Sequence, residues 1–202
     1  MMSRSRPRVA WLPLLALLAC APAEDDVATT PADEQGTESA PPLDTPDAKI
    51  LNATSAAPAA LAAEATVMDW PAAEGEEMTE LRAGTNGWTC LPNIPHTPGN
   101  DPMCGDARFF EWAAAWQSRT TPPEGGVGLA YMLQGGADAS NADPFATEPP
   151  PGESWVRSGP HVMIVMPDAA VLASMSDDPA SGGPWVMWRG TPYAHIMMPV
   201  AM

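Results

Sequence analysis

Short apolar stretches recur along the chain after residue 65, and clusters of Gly, Pro, Asn and Asp separate them. Each stretch is shorter than an ordinary helix and is bounded by turn-forming residues, which predicts β-strands. The predicted strands cover 66–70, 78–82, 127–134, 155–157, 161–166, 185–189 and 195–200. Because the connections are too short for repeated helical crossovers, we expect a mostly antiparallel sheet.

One amphipathic helix is predicted between the second and third of these strands. The side chains that recur at the spacing of one helical face are Phe109, Trp112, Ala113 and Trp116. Asp106 can cap this helix, and segment 120–123 ends it. Upstream, the alanine-rich segment 47–65 predicts two short helices, with Asp47 capping the first and Pro58 in the first turn of the second. Their expected apolar stripe is Ile50, Leu51 and Leu61.

The amino terminus has the layout of an export signal. It carries Arg4, Arg6 and Arg8, then the apolar run 9–18 and the residues Leu17, Leu18, Ala19 and Cys20. The last four residues resemble the lipobox of bacterial lipoproteins. The resemblance implies a signal peptide over 1–19 and lipid on Cys20. An uncleaved signal anchor is the alternative, but the run is far shorter than the roughly 20 residues that span a bilayer.

The segment that follows predicts a disordered acidic tether over 20–47. Residues 21–47 contain eight acidic residues and no basic residue, so this stretch buries too little apolar surface to offset the entropy of ordering. Removing 1–19 takes away three of the nine basic residues and none of the 25 acidic ones, which leaves a net charge of −19. Such a chain is repelled by phosphates, so we expect no nucleic-acid partner and membrane contact through the lipid alone.

Two cysteines remain if lipid occupies the first. Cys90 and Cys104 are then natural disulfide partners in an oxidising compartment. The alternative is a thiol pair for catalysis or metal binding, which usually has closer spacing. The sequence therefore predicts a single compact α+β domain over 48–202, with one disulfide closing a proline-rich loop without regular structure.

Methionines lie close to two of the three histidines. His161 and Met163, and likewise His195 and Met197, are two residues apart and would share one face of a strand. These motifs resemble the H-x-M elements of periplasmic copper chaperones of the cupredoxin-like type, and imidazole with thioether suits copper. The alternative is a buried strand, because methionine also fills apolar cores.

Two further groups are candidate sites. A ligand-binding region is predicted from aromatic and polar residues near both ends of the domain: Trp88, Asn141, His161, Trp188, Tyr193 and His195. Trp185 belongs to the same candidate aromatic cleft, and a hydrophobic core is the alternative. Oxygen side chains between Asp138 and Asp143 suggest calcium, although turns that bond their own backbone explain them more simply.

Catalytic motifs are weak. The chain has no G-x-S-x-G, no H-E-x-x-H and no phosphate-binding glycine loop. An acid-base pair of Asp143 with His161 or His195 is conceivable, but the spacing does not require it. We therefore expect a non-enzymatic protein, with a hydrolase as the third hypothesis after ligand or protein binding and copper binding.

The domain also shows a family resemblance. The strings LRAGTNGWTC, NDPMC, YMLQGG, DASNADPFA, GPHVMIVMP and GTPYAHIMMPV resemble a family of exported bacterial proteins, over about 48–202. This resemblance implies one domain with the tether outside it, and it assigns no activity. Ala21 after the cysteine resembles the sorting signal for the outer membrane in enterobacteria. We therefore expect a lipid-anchored envelope protein that faces the periplasm or the exterior and binds a small ligand or another envelope protein.

Overall fold

The structure is a computed structural model that describes residues 42–73, 75–166 and 168–201. The predicted signal peptide, the predicted lipidation site Cys20 and most of the predicted tether lie outside these residues. Four helices are described: α1 Pro46–Thr54, α2 Ala59–Ala62, α3 Ala107–Gln117 and α4 Ala169–Ala173. A short 3-10 helix covers Pro179–Ser181. Within the described residues, no helix is both long enough and apolar enough to cross a membrane.

Ten strands accompany the helices. They are β1 Thr66–Asp69, β2 Thr79–Arg82, β3 Trp88–Leu91, β4 Met103–Asp106, β5 Gly128–Met132, β6 Gly136–Asp138, β7 Val156–Ser158, β8 His161–Val165, β9 Trp185–Met187 and β10 His195–Pro199. Eight of them form one sheet in the order β2-β1-β3-β4-β5-β8-β10-β9, and β6 pairs with β7. Among these pairs only β1 with β3 is parallel, so the predicted α+β fold with a mostly antiparallel sheet is confirmed.

Both faces of the large sheet are covered, because its strands alternate between two apolar surfaces. One face packs against α3, where Phe109 and Trp112 meet Ala130 and Met163 in the largest core cluster. On the other face α1 and α2 cover β1, β3 and β4. At the far end of that second face, α4 contributes Leu172 to a small cluster with Val186 and Ile196.

The disulfide is confirmed, but the loop it closes is more regular than predicted. Cys90 and Cys104 face each other in the antiparallel pair β3–β4, with 4.0 Å between their Cα atoms. Leu91 and Met103 continue the same pairing. The irregular connection is therefore only segment 92–102.

Local corrections concern the first helix. Its cap is Thr45, whose hydroxyl accepts a bond from Ala48 N at 3.2 Å, and not Asp47. Pro46 takes the first helical position, where its missing N–H costs nothing, and this moves the start upstream of Asp47. Leu51 does not join an apolar stripe, since it is 74% exposed. Alanines form the buried side of the helix instead. Because their side chains are small, the helix packs close to the disulfide.

Candidate functional site

A cavity of about 290 Å³ lies between α3, the adjoining face of the sheet and segment 92–102. Its walls are mostly aromatic and thioether side chains. Two imidazoles and two carboxyl groups also reach it, from His161, His195, Asp101 and Asp138. Buried ionisable groups that converge in an apolar cavity are a common mark of a binding or active site.

Strand register places the cavity-facing side chains. In β8, His161 and Met163 alternate with residues that face the other way, as predicted for an H-x-M pair. Met132 of β5 lies directly opposite His161. On the other side, β10 puts Met197 opposite Met163 and His195 opposite Val165. The backbone of His195 is therefore offset from that of His161 by four residues, or about 13 Å along the strand direction. The two imidazoles are still close enough for the charge of His161 to lower the pKa of His195.

Both histidines are buried, and only one ring nitrogen of each has a hydrogen-bond partner. The Nδ1 atom of His161 lies 2.7 Å from the carbonyl oxygen of Gly159, and that of His195 lies 3.0 Å from the carbonyl oxygen of Tyr193. A carbonyl only accepts, so we assign the proton to Nδ1 in each ring, which leaves the Nε2 lone pair as an acceptor. Neither Nε2 atom has a hydrogen-bond partner.

Burial also keeps these imidazoles neutral. Loss of hydration lowers the pKa of His161, and it lowers the pKa of His195 to about 4. The bonds to the backbone carbonyls oppose this shift without reversing it. At neutral pH the cavity therefore presents two neutral acceptor nitrogens.

Trp188 reaches the cavity because the backbone turns out of its strand. It adopts a φ of 56°, which is rare for a bulky residue. Its N–H donates to Asn141 O at 2.8 Å and its indole Nε1 to Ser140 O at 3.0 Å. Regular alternation would point Trp188 away from the side taken by Met187. The turn instead brings its ring against His195 in an edge-to-face arrangement, with 4.9 Å between ring centroids.

Helix α3 supplies two more indoles to the cavity wall. Asp106 caps the helix by accepting from Phe109 N at 2.7 Å, and its second oxygen accepts from Leu129 N at 3.0 Å, which fixes the helix on β5. Trp112 stacks on Trp188 with centroids 6.1 Å apart, and Trp116 lies 5.0 Å from the same ring. The three indoles form a continuous aromatic wall beside His195.

The carboxyl groups come from segment 92–102 and from β6. Asn93 accepts a bond from Asp101 N at 2.7 Å, and Ile94 N donates to Asp101 Oδ1 at 3.0 Å. Asp101 Oδ2 is buried without a partner. Burial raises the pKa of Asp101, whereas Thr97 and backbone bonds oppose the shift. Burial and then the neighbouring charge of Asp101 raise the pKa of Asp138 to about 7.

The predicted ligand-binding residues are only partly brought together. Of these, His161, Trp188 and His195 line the cavity, as does Met163 of the predicted metal set. Trp88 packs on Tyr131 at 5.6 Å on the opposite face. Two other residues hold the walls in place. Asn141 accepts from Trp185 Nε1 at 3.2 Å, and Tyr193 OH donates to Thr120 O at 3.0 Å. His96 is exposed, and its φ is 74°.

The other candidate residues make local contacts. Ser140 Oγ accepts from Asp143 N at 3.0 Å, and Asp143 Oδ1 accepts from Phe145 N at 2.9 Å. These turn bonds are the simpler alternative to calcium. Asp143 is exposed, and backbone carbonyls take the Nδ1 positions of both buried histidines, so the acid-base pair does not form. In 42–73, 75–166 and 168–201, no three His, Cys, Asp or Glu side chains form a group that could hold a metal ion.

Several residues of the cavity are not predicted as site residues from the sequence. Asp101 looked like one of many loop residues, and its burial depends on segment 92–102 folding back so that Asn93 and Ile94 bond to it. Trp112 and Trp116 were assigned to the helix but not to a site.

Comparison with protein-family models, with curated proteins and with solved structures finds no match to this chain.

Proposed function

We propose that this protein is an exported, lipid-anchored envelope protein that binds a small organic molecule in the cavity between α3 and the sheet. The observation that carries the proposal is the pair of buried acceptor atoms, Nε2 of His161 and Nε2 of His195, without partners in one cavity. Leaving a buried polar atom unsatisfied costs about 1–3 kcal/mol. A ligand with N–H or O–H groups removes that cost.

The size and walls of the cavity fit this role. A volume of about 290 Å³ is near the lower end of small-molecule sites. The walls combine indole rings with thioethers, and both pack well against a planar apolar ligand. A purely structural core would place apolar side chains where the histidines stand, because methionine and leucine fill similar space without a polar penalty.

The test uses two probes of one shape. 2-Naphthol has a hydroxyl donor and naphthalene has none, so calorimetric titration should show tighter binding of 2-naphthol to the wild-type protein. His195→Phe keeps a ring against Trp112 and Trp188 but removes one of the two acceptors, and should reduce the preference for 2-naphthol. Trp88→Phe, on the other face of the sheet, is the control and should bind as wild type does. Failure of both probes to bind the wild-type protein would overturn the proposal.

A second candidate is binding of Cu(I) by an imidazole and thioethers. The sequence suggested His161 with Met163 and His195 with Met197, and the register adds Met132 directly opposite His161. Support comes from the unpartnered Nε2 atom and from the soft sulfur donors beside it. Competition with a coloured Cu(I) chelator should show binding that His161→Ala removes and His96→Ala leaves intact. Equal binding by all three proteins would contradict a site at His161.

A further inference from the structure

The unpartnered polar atoms of the cavity are all acceptors. They are Asp101 Oδ2, His161 Nε2 and His195 Nε2, and the residues that carry them are each 1% exposed. The potential donor of each imidazole is already used by a backbone carbonyl. A ligand that satisfies these atoms must therefore bring hydrogen-bond donors.

The charge in the cavity has one sign. Asp101 and Asp138 line it, and no Lys or Arg does so among the described residues. The two carboxyl groups are close enough for the charge of one to disfavour ionisation of the other. A cation between them would remove that repulsion, whereas an anion would add to it.

Asp138 lies between His161 and the indoles along the chain that borders the cavity. A Cβ built on Gly136 would stand 3.5 Å from His161 Cε1, so β6, which also carries Asp138, lies beside His161. Trp112 and Trp188 surround His195, and the Trp188 indole Nε1 donates to Ser140 O at 3.0 Å, two residues after Asp138. Indole faces also attract cations within about 6 Å.

We propose that the ligand is an organic ammonium ion with a flat apolar body. Its N–H groups bond to the carboxyl groups of Asp101 and Asp138, and its body lies against the indole rings of Trp112 and Trp188. This inference rests on the proposed small-molecule function and narrows it to one ligand class.

The experiment compares three probes that share one ring system. 2-Naphthylmethylamine is a cation, 2-naphthol is neutral and 2-naphthoate is an anion at pH 8. Titration of the wild-type protein should give at least about tenfold tighter binding of the amine than of the alcohol, the size expected for one hydrogen bond to a charged group. The anion should bind weakest.

Variants test the contribution of the Asp138 carboxyl group to binding apart from that of the other cavity residues. Asp138→Asn should reduce the affinity for the amine relative to the affinity for the alcohol, because one of the two carboxyl groups that bond the ammonium ion is lost. Asp143→Asn, at an exposed turn outside the cavity, is the matched control and should behave as wild type. Affinity for the amine should also rise between pH 6 and pH 8 in the wild-type protein, as Asp138 ionises beside Asp101 and the neutral histidines, and stay flat in Asp138→Asn.

The outcomes distinguish this inference from the function on which it rests. Equal binding of amine and alcohol, or tighter binding of the anion, would overturn the ammonium ligand and leave a small-molecule cavity standing. Binding of none of the three probes would overturn both. Loss of amine preference in Asp143→Asn as well as in Asp138→Asn would place the recognition outside the cavity and overturn the inference.

Discussion

Two ionisable residues of the cavity, His195 and Asp138, change the stability of the protein in opposite directions as the pH rises. His195 has a folded-state pKa of about 4, below its ordinary value of 6.5, so the unfolded chain binds more protons between these values. Asp138 has a folded-state pKa of about 7, above its ordinary value of 3.8, so the folded chain binds more protons over much of the same range. The two effects offset each other because both groups avoid charge in the same cavity.

Removing the Asp138 carboxyl group should leave the pH dependence that His195 gives to the free energy of unfolding. In wild type, the contribution of His195 to the free energy of unfolding rises from pH 4 to pH 6.5, and that of Asp138 falls from pH 3.8 to pH 7. Asp138→Asn removes the falling contribution. The stability of this variant relative to wild type should therefore increase with pH, by at most about 1.4 kcal/mol per pH unit.

Urea unfolding at pH 4.5, 5.5 and 6.5 measures this difference. Asp143→Asn serves as the comparison, since its carboxyl group is exposed and accepts only a turn bond from Phe145 N. We expect no growing difference from wild type for that variant. A relative stability of Asp138→Asn that stays constant over the three pH values would show that the Asp138 carboxyl group titrates in the folded protein as it does in the unfolded chain.

At the level of elements, the cavity depends on how closely α3 approaches the sheet. Two strand residues under the helix are glycines. A Cβ added at Gly105 would stand 2.6 Å from Phe109 Cδ1, and one at Gly128 would stand 2.6 Å from Phe109 N and 2.7 Å from Val165 Cγ2. The contact at Gly128 is with backbone, which cannot rotate aside. The helix can occupy its place only because these positions lack side chains.

Gly128→Ala should destabilise the fold by about 1–3 kcal/mol, the usual cost of overpacking a filled core. The reason is that α3 must move off β5, which also loosens the Trp112 wall of the cavity. Thermal or chemical unfolding measures the loss. Gly183→Ala is the control, since nothing lies within 4 Å of its added Cβ and its φ is not in the left-handed region. Equal stability of the two variants would contradict close packing of the helix at Gly128.

The β3–β4 pair should depend on its disulfide. Closing a loop of about 15 residues contributes roughly 3 kcal/mol by restricting the unfolded chain. Double substitution Cys90→Ala and Cys104→Ala should lower the free energy of unfolding by an amount of this order, as should reduction of the wild-type protein. A reductant should have no effect on the double variant. If reduction leaves the wild-type unfolding curve unchanged, the pair contributes no cross-link to stability.

The elements that followed from sequence are those with a strong local pattern. Strand β8 and helix α3 have clear periodicity, and both formed as predicted. Strands β3 and β4 were missed because Asn-Gly and proline clusters around them favour turns, and only pairing across Cys90 and Cys104 makes them strands. The H-x-M faces followed from the period of two, but the convergence of Asp101 with Asp138 depends on long-range packing that no local pattern encodes.

The whole molecule combines an acidic exterior with an acidic cavity. The full chain has a net charge of −16, and the cavity carries carboxyl groups without a basic partner among the described residues. Long-range attraction therefore favours cations and opposes anionic lipid headgroups. Because this charge is repelled by anionic headgroups, the proposed attachment to a membrane would depend on the proposed lipid on Cys20.

The last prediction concerns the proposed lipid anchor on Cys20. If Cys20 carries diacylglycerol and a further acyl chain, wild-type protein expressed in its host should sediment with membranes and have an intact mass that begins at Cys20. Cys20→Ser removes the thioether and should leave the protein in the soluble fraction or as an unprocessed precursor. Cys90→Ala with Cys104→Ala is the control, because it removes two cysteines but keeps the lipobox-like residues, and should remain in the membrane fraction. Recovery of wild-type protein in the cytosol with Met1 in place and no acyl mass would contradict the lipid anchor. It would also remove the oxidising compartment that favours the disulfide, while the cavity and its ligand class would still be decided by the naphthyl probes.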